Sequence, residues 1–292
     1  MTASVLRFGM LTMQHPPWSG LLDRWRAYEA LGFDSVWVCD HFIGQRGEPL
    51  FEAWTLLAAL AARTRRVRLG AVVTCNSFRH PALLAKEAIT VDHVSGGRLE
   101  LGLGAGWWEA EHPMFGIPFP PPAERVTRFQ EAVEVLNRLL SPAAGPVSYS
   151  GRYYQVENAT VRPVSVQQPR PPLMLAGQGP RMLEIVARHA DTWVASFGLR
   201  PEEMATRNRF LDERCRALGR DPASLRRAFV WAPWVHALDP WDAPEAFVDF
   251  VDRYHEAGVT EFILDEPRPD QQPTLERIAR EVLPGLRARE PS

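Results

Sequence analysis

Apolar residues recur along this chain in two rhythms. Short runs alternate or are apolar throughout, as strands are, and longer runs repeat every three to four residues, as helices do. Leu6–Leu11 reads as a strand and Leu21–Leu31 as a helix; Ser35–Cys39 as a strand and Trp54–Arg63 as a helix. Val67, Leu69, Ala71 and Val73 alternate as a third strand should. Pro81 sits where a helix can begin, Leu84, Ala88 and Val91 share one face, and Gly96-Gly97 ends that helix. Arg98–Leu103 is a fourth strand. After a proline- and aromatic-rich excursion, Trp107–Pro122, a helix places Val126, Phe129, Val133, Leu136 and Leu140 together. A hairpin is predicted over Val147–Tyr149 and Tyr153–Val156 around Gly151. Four more strand–helix pairs follow. They are Leu173–Ala176 with Arg181–His189, Thr192–Ser196 with Pro201–Leu218, Arg227–Val235 with Glu245–Ala257, and Glu261–Asp265 with Pro273–Leu286.

A strict strand-then-helix order requires a parallel sheet. An open doubly wound sheet and a closed barrel share that order. Eight units of roughly 35 residues each favour an α/β fold of the single (β/α)8 TIM-barrel type, which uses about 250 residues as one domain. Chemistry in such a barrel sits at the carboxyl ends of the strands.

Composition narrows the choice of chemistry. Of 292 residues, 46% are hydrophobic and 23% charged, which suits a large core. The formal net charge of −2 excludes a strongly basic nucleic-acid footprint. Three cysteines (Cys39, Cys75, Cys215) with no CxxC fit a reduced, cytoplasmic protein. The start of the chain shows no leader pattern, and the longest apolar run, Ala53–Ala62, is half what a membrane helix needs. Eight histidines include no HxH or HExxH, so no metal site is expected. The sole lysine, Lys86, falls within a predicted helix, which disfavours a Schiff base. No GxSxG or Walker A run occurs.

The strand ends carry the candidates. Strand two ends in Asp40-His41-Phe42. Histidine is the side chain that ordinarily exchanges protons near neutrality, so His41 with its neighbour Asp40 is the candidate catalytic pair. A loop histidine merely held by Asp40 would look the same. Strand three ends in Thr74 and Cys75, strand four in Gly104-Ala105-Gly106-Trp107-Trp108. Glycines there allow backbone to approach a flat ligand, and tryptophans can wall it. Strand five gives Gly177-Gln178-Gly179-Pro180-Arg181 before a helix, a candidate phosphate site. The full GxGxxG fingerprint is absent, since Met182 takes the place of the third glycine. Phe42, Trp108, Phe115 and Phe197 are candidates for an apolar substrate pocket, although core packing also collects aromatics. Small, glycine-lined strand ends with one central histidine suit a site where a bound cofactor carries the reaction.

Several stretches together resemble the luciferase-like monooxygenase superfamily, and most closely its branch of deazaflavin (coenzyme F420)-dependent oxidoreductases. They are Glu29–Val38 running into Asp40-His41-Phe42, Leu56–Thr64 with Val67–Gly70, Arg79–Lys86, Asp92–Trp107 with its Ser95-Gly96-Gly97-Arg98 run, Phe115–Pro120 before Arg125, and Arg170-Pro171-Pro172. The resemblance covers about residues 5–195 well. It implies one barrel domain over residues 1–292, with a rim insertion at about 107–122 and the hairpin at about 146–157. It implies a ring in the barrel mouth, His41 near its reactive centre, and support from the segment around Thr74-Cys75, often through a non-proline cis peptide. Gly177, Gln178 and Gly179 would receive the cofactor phosphate, while Arg181, which could add a charge there, and Gly104, Gly106 and Trp107 at the end of strand four are candidate cofactor contacts on the reading of the residues themselves. Two departures are Ala176-Gly177, where relatives commonly have Gly-Gly, and Asp191-Thr192-Trp193-Val194, where they often have Asp-Gly-Trp-Asn. The expected activity is hydride transfer to or from a small organic substrate. The alternatives are an FMN-dependent monooxygenase and a cofactor-free, non-catalytic barrel. A homodimer is the expected assembly, with no membrane or nucleic-acid partner.

Overall fold

The structure, a computed structural model, describes residues 6–141, 145–195, 197–236 and 238–289. The first five residues of the stretch read for a leader, and Ser196 at the end of its predicted strand, lie outside these.

Parallel strands β1 (Arg7–Thr12), β2 (Ser35–Val38), β3 (Arg68–Ala71), β4 (Thr74–Cys75), β5 (Leu101–Gly104), β8 (Leu173–Ala176), β9 (Thr192–Ala195), β10 (Arg226–Trp231) and β11 (Glu261–Asp265) form one sheet. Its order is β3-β2-β1-β11-β10-β9-β8-β5-β4. β4 pairs with β5, and β3 meets the start of β5 through the parallel bridge Leu69–Leu99, so the sheet closes on itself. Since β3 and β4 occupy one position, nine strands make the eight staves of a TIM-type barrel. Strands β6 (Val147–Ser150) and β7 (Gln155–Ala159) form the separate antiparallel hairpin.

Outer helices follow the staves: α1 (Trp18–Ala30), α2 (Ala53–Ala61), α3 (Pro81–Ser95), α5 (Pro122–Leu140), α6 (Pro180–His189), α7 (Pro201–Ala217) and α8 (Pro244–Glu256). The last is broken into α9 (Gln272–Arg277), a π turn over Ile278–Val282, and α10 (Leu283–Arg287). Pro284 lacks the N–H that a continuous helix would use at that turn. The predicted excursion holds a short helix, α4 (Glu111–Met114). None of the described helices is long and apolar enough to cross a membrane.

Period-two alternation along each strand divides the core. Met10, Val36, Val38, Leu175, Phe229 and Phe262 face outward onto the helices, in the larger apolar cluster. Leu11, Trp37, Met174, Val194, Ala228, Val230 and Ile263 fill the inside of the barrel. Trp37 is its plug. A Cβ on Gly9 would stand 2.9 Å from the indole nitrogen, and one on Gly70 2.8 Å from the far edge of the ring. Glycine at these two positions therefore makes room for an indole across the middle of the barrel. The Trp37 N–H donates to Ser35 Oγ at 2.8 Å, so the buried donor is satisfied.

Below the plug, the amino-terminal strand ends close the floor with ions. Glu100, 1% exposed, accepts from Arg68 Nε (2.6 Å) and Arg226 Nη2 (2.8 Å), and Arg226 also reaches Glu261 at 3.3 Å. Burial, and then the neighbouring Glu100 charge, push the Glu261 carboxyl up to about 7. The native state thus keeps a proton that the unfolded chain gives up at ordinary glutamate pH. Stability from this group is present below about 4.5 and declines as pH rises towards 7. Glu261→Gln should flatten that decline by on the order of 2–3 kcal/mol, seen as a smaller loss of denaturation midpoint between pH 5 and 7.5 than in the parent. The variant must be compared with the parent, because burial also raises Asp265 to about 7 and adds a slope of the same sign.

Arg98, expected to open the fourth strand, lies just before it. Its guanidinium donates to Ala61 O (2.8 Å), Thr64 O (3.0 Å) and Val67 O (2.7 Å). Carbonyls that the end of α2 would otherwise leave unpaired are thereby satisfied. Gly96 ends α3 with φ +68°, the left-handed conformation glycine tolerates.

Candidate active site

The carboxyl ends of the staves surround a cavity of about 430 Å³. His41, just past β2, stands in its wall. The His41 Nδ1–H donates to Glu111 Oε1 at 2.6 Å, and Phe42 N–H donates to Glu111 Oε2 at 3.2 Å. Glu111 is 1% exposed, so its two oxygens are held by these two donors away from water. A carboxylate only accepts, so the pair fixes which ring nitrogen of neutral His41 carries hydrogen. The other nitrogen, Nε2, has no protein partner among the described residues and is available to a ligand. Trp107 and Trp108 meet the imidazole edge-on, with centroids 5.7 Å and 5.5 Å away.

Asp40 also reaches the cavity wall, but its oxygens are occupied. Arg79 grips both of them, Nη1–Oδ2 at 2.6 Å and Nη2–Oδ1 at 3.0 Å, and the Cys75 N–H donates to Oδ2 at 2.8 Å. Arg79 further meets Glu52 (3.3 Å) and Glu87 (3.5 Å). This geometry corrects the expected catalytic pairing. Asp40 ties the end of β2 to β4 and to the start of α3, and the carboxylate that touches His41 is Glu111.

Thr74 and Cys75 lie in the cavity wall, directly after a cis peptide that joins Val72 to Val73. Thr74 Oγ1 accepts from the Trp54 indole at 3.3 Å. Burial pushes the Cys75 thiol up to about 12, and burial with the Asp265, Asp40 and Glu111 charges does the same to Cys39. Neither thiol is a nucleophile at neutral pH.

The glycines turn out differently from the expectation that backbone is bared to a flat ligand. A Cβ on Gly104 would stand 2.6 Å from the Val73 side chain, and one on Gly177 2.5 Å from Met182. Both glycines line the cavity, yet each leaves its space to a neighbouring side chain, which then forms the wall. Gly106 is required for its own conformation, φ +82°, and a Cβ there would crowd Cys75 Sγ at 3.1 Å.

Of the remaining expected residues, Trp107 and Phe197 line the cavity. Phe42, Trp108 and Phe115 do not. Phe42 instead packs on Phe78 and Phe115, with centroids at 4.4 Å and 4.7 Å, as an aromatic cluster beside the mouth. Gln178, Gly179 and Arg181 also lie off the cavity lining, at the start of α6. Gly179 is the N-cap and supplies no side-chain cap, and Arg181 donates to Thr127 Oγ1 at 3.2 Å on α5. The excursion contributes Glu111, which nothing in the spacing distinguishes from the nearby Glu109. Val126 on α5 and Val194 on β9 also line the cavity. Val194 is one of the two departures noted in the sequence, and it puts an apolar group where an amide is common. No His/Cys/Asp/Glu cluster fit for a metal exists among the described residues.

A closed α/β barrel with a carboxylate-locked histidine in a mostly apolar mouth defines a class, the barrel enzymes whose strand-end loops receive a ligand. The chain belongs to the luciferase-like monooxygenase family, whose model matches residues 2–290. It is 32% identical to an F420-dependent glucose-6-phosphate dehydrogenase of Beutenbergia cavernae, over 90% of this chain and 91% of that one. It is 31% identical to a phthiodiolone/phenolphthiodiolone dimycocerosates ketoreductase of Mycobacterium kansasii, over 66% of this chain and 57% of that one. Among solved structures, the coenzyme F420-dependent tetrahydromethanopterin reductase of Methanopyrus kandleri superposes with a TM-score of 0.80. That match has 23% identity and covers 97% of this chain and all of that one.

Proposed function

We propose that the protein is an F420-dependent oxidoreductase that moves a hydride to or from an oxygen-bearing carbon of a small organic substrate. The observation that carries this reading is His41, set in the wall of a mostly apolar cavity and locked through Nδ1 on buried Glu111. The kinship with F420-dependent enzymes at about 30% identity over most of the chain supplies the cofactor.

The residues present suit such a group. Val72, Val73, Ala176, Val194 and Val230 give an apolar bed of the kind a planar ring needs. Close by, α6 begins with an uncapped N-terminus (Gly179, then Pro180), which suits a phosphodiester through free N–H groups and the helix dipole. The deazaflavin, when bound, supplies or receives the hydride. The protein does the rest. His41 Nε2 gives a proton to the substrate oxygen or takes one from it, and the Glu111 charge steadies the imidazolium. Thr74, Cys75, Gly106 and Trp107 shape the wall, and the 107–122 segment brings Glu111 to His41 and shields it from water.

Titration of the purified protein with each cofactor, followed by absorbance and by quenching of tryptophan fluorescence, tests this reading. Saturable F420 binding is the expected result. Submicromolar FMN binding with no deazaflavin binding would overturn it in favour of the oxygen-using monooxygenase.

A further inference from the structure

The walls of the cavity also say what kind of molecule the enzyme works on, an inference that rests on the function proposed above. No lysine or arginine lines the cavity among the described residues. Its ionisable side chains are two cysteines, His41, Asp40 and Glu111, a set that a phosphorylated substrate would find unfavourable. Three arginines of the mouth-side loops are committed to carboxylates. Arg79 holds Asp40, Arg200 holds Glu203, and Arg268 holds Asp239, Asp242 and Asp270. Arg125 and Arg181 bond Pro120 O and Thr127 Oγ1, the Arg46 side chain has no carboxylate partner among the described residues, and none of these six lines the cavity.

The apolar side of the mouth is the reverse. Trp107 lines the cavity while 58% exposed, edge-on to His41. Phe197 lines it too, and Trp234, 56% exposed, packs on Phe197 at 5.7 Å. One large indole left in water beside His41, and a second against Phe197, cost hydration free energy that a bound apolar partner would recover.

We propose that the substrate is an uncharged ketone, or the matching secondary alcohol, with a hydrocarbon or aryl arm that lies along Trp107, Phe197 and Trp234, and that phosphorylated sugars are rejected. In the reducing direction, the hydride supplied by reduced F420 bonds to the carbonyl carbon. The C=O π pair moves onto oxygen, and oxygen takes the proton from His41 Nε2. The ketone gains two electrons and two hydrogens, and the deazaflavin is oxidised by the same two electrons.

The test uses protein loaded with F420 and a series of methyl ketones from acetone to methyl heptyl ketone, with glucose 6-phosphate as the charged competitor. Binding is read by tryptophan fluorescence and turnover by deazaflavin absorbance. Affinity should rise by about fourfold for each added methylene, the usual worth of a buried CH₂, with little dependence on salt. Glucose 6-phosphate should neither bind nor react at millimolar concentration. Trp234→Ala should shrink the gain in affinity from acetone to the longer ketones. A flat chain-length series, or turnover of glucose 6-phosphate with an affinity that falls as salt rises, would overturn the inference. Failure to take up F420, seen before any ketone is added, would sink the proposed function instead.

Discussion

Replacing His41 by alanine is expected to lower turnover by about 10²–10⁴ while cofactor uptake persists, the range for a lost general acid–base group. The geometry explains why the loss should fall on the chemical step. His41 is anchored through Nδ1 and presents Nε2, so its removal deletes the proton carrier and leaves the apolar bed intact. It also strips Glu111 of one of its two donors, and an under-partnered buried carboxylate destabilises the fold. His41→Asn separates the two effects. The amide can still donate to Glu111 but cannot exchange a proton, so stability should return and turnover should not. Glu111→Gln keeps an acceptor opposite Nδ1 and removes only the charge that steadies the imidazolium. A smaller loss, about 10- to 100-fold, is expected, as for a hydrogen bond to a charged group. Steady-state and single-turnover rates, with melting curves on the same samples, read all three. Unchanged turnover in His41→Ala would remove the residue from the chemistry.

The largest stability effect should come from Arg79→Ala, about 3–5 kcal/mol, because removing one partner of a buried ion pair leaves the other charge uncompensated. Asp40 is 4% exposed, and Glu52 and Glu87 lean on the same guanidinium. Without it, three carboxylates face one another. The fold would then disfavour their ionised forms and raise their folded-state pKa values, so the added instability grows as pH rises. The difference from the parent should therefore be larger at pH 8 than at pH 5, measured by urea denaturation. Arg79→Lys should recover part of the loss, since it restores the charge but not the two-pronged grip. An equal loss at both pH values would mean that packing, not charge, is what Arg79 contributes.

Much of the barrel could be read from the alternation of strand and helix patterns alone. Leu173–Ala176 and Glu261–Asp265 are strands with the bounds the pattern predicts, and each predicted helix has its counterpart. The failures occur where one residue's bonding overrides a local pattern. The strand expected to run to Val235 stops at Trp231, and Pro233, which has no N–H to give a ladder, follows two residues later. The strand expected from Arg98 begins at Leu101, with only a single bridge at Leu99 before it.

The candidate site divides in the same way. The rule that barrel chemistry sits at strand ends selects His41, Thr74, Cys75, Gly104, Gly106 and Gly177, and all of them line the cavity. Contacts between distant segments are another matter. Glu111 meets His41 across 70 residues, and Val73 enters the gap left by Gly104 on a neighbouring strand. No periodicity along one segment records such pairings.

The indole of Trp37, laid across the barrel above a floor of ions, makes the interior a cul-de-sac. Traffic through the stave ends then has one doorway, shared by everything that enters. Of two ligands that both use it, the deeper one must arrive first and leave last. A steady-state study of this enzyme should accordingly find a compulsory order of binding, with the shallower ligand acting as an inhibitor when it reaches the doorway too early.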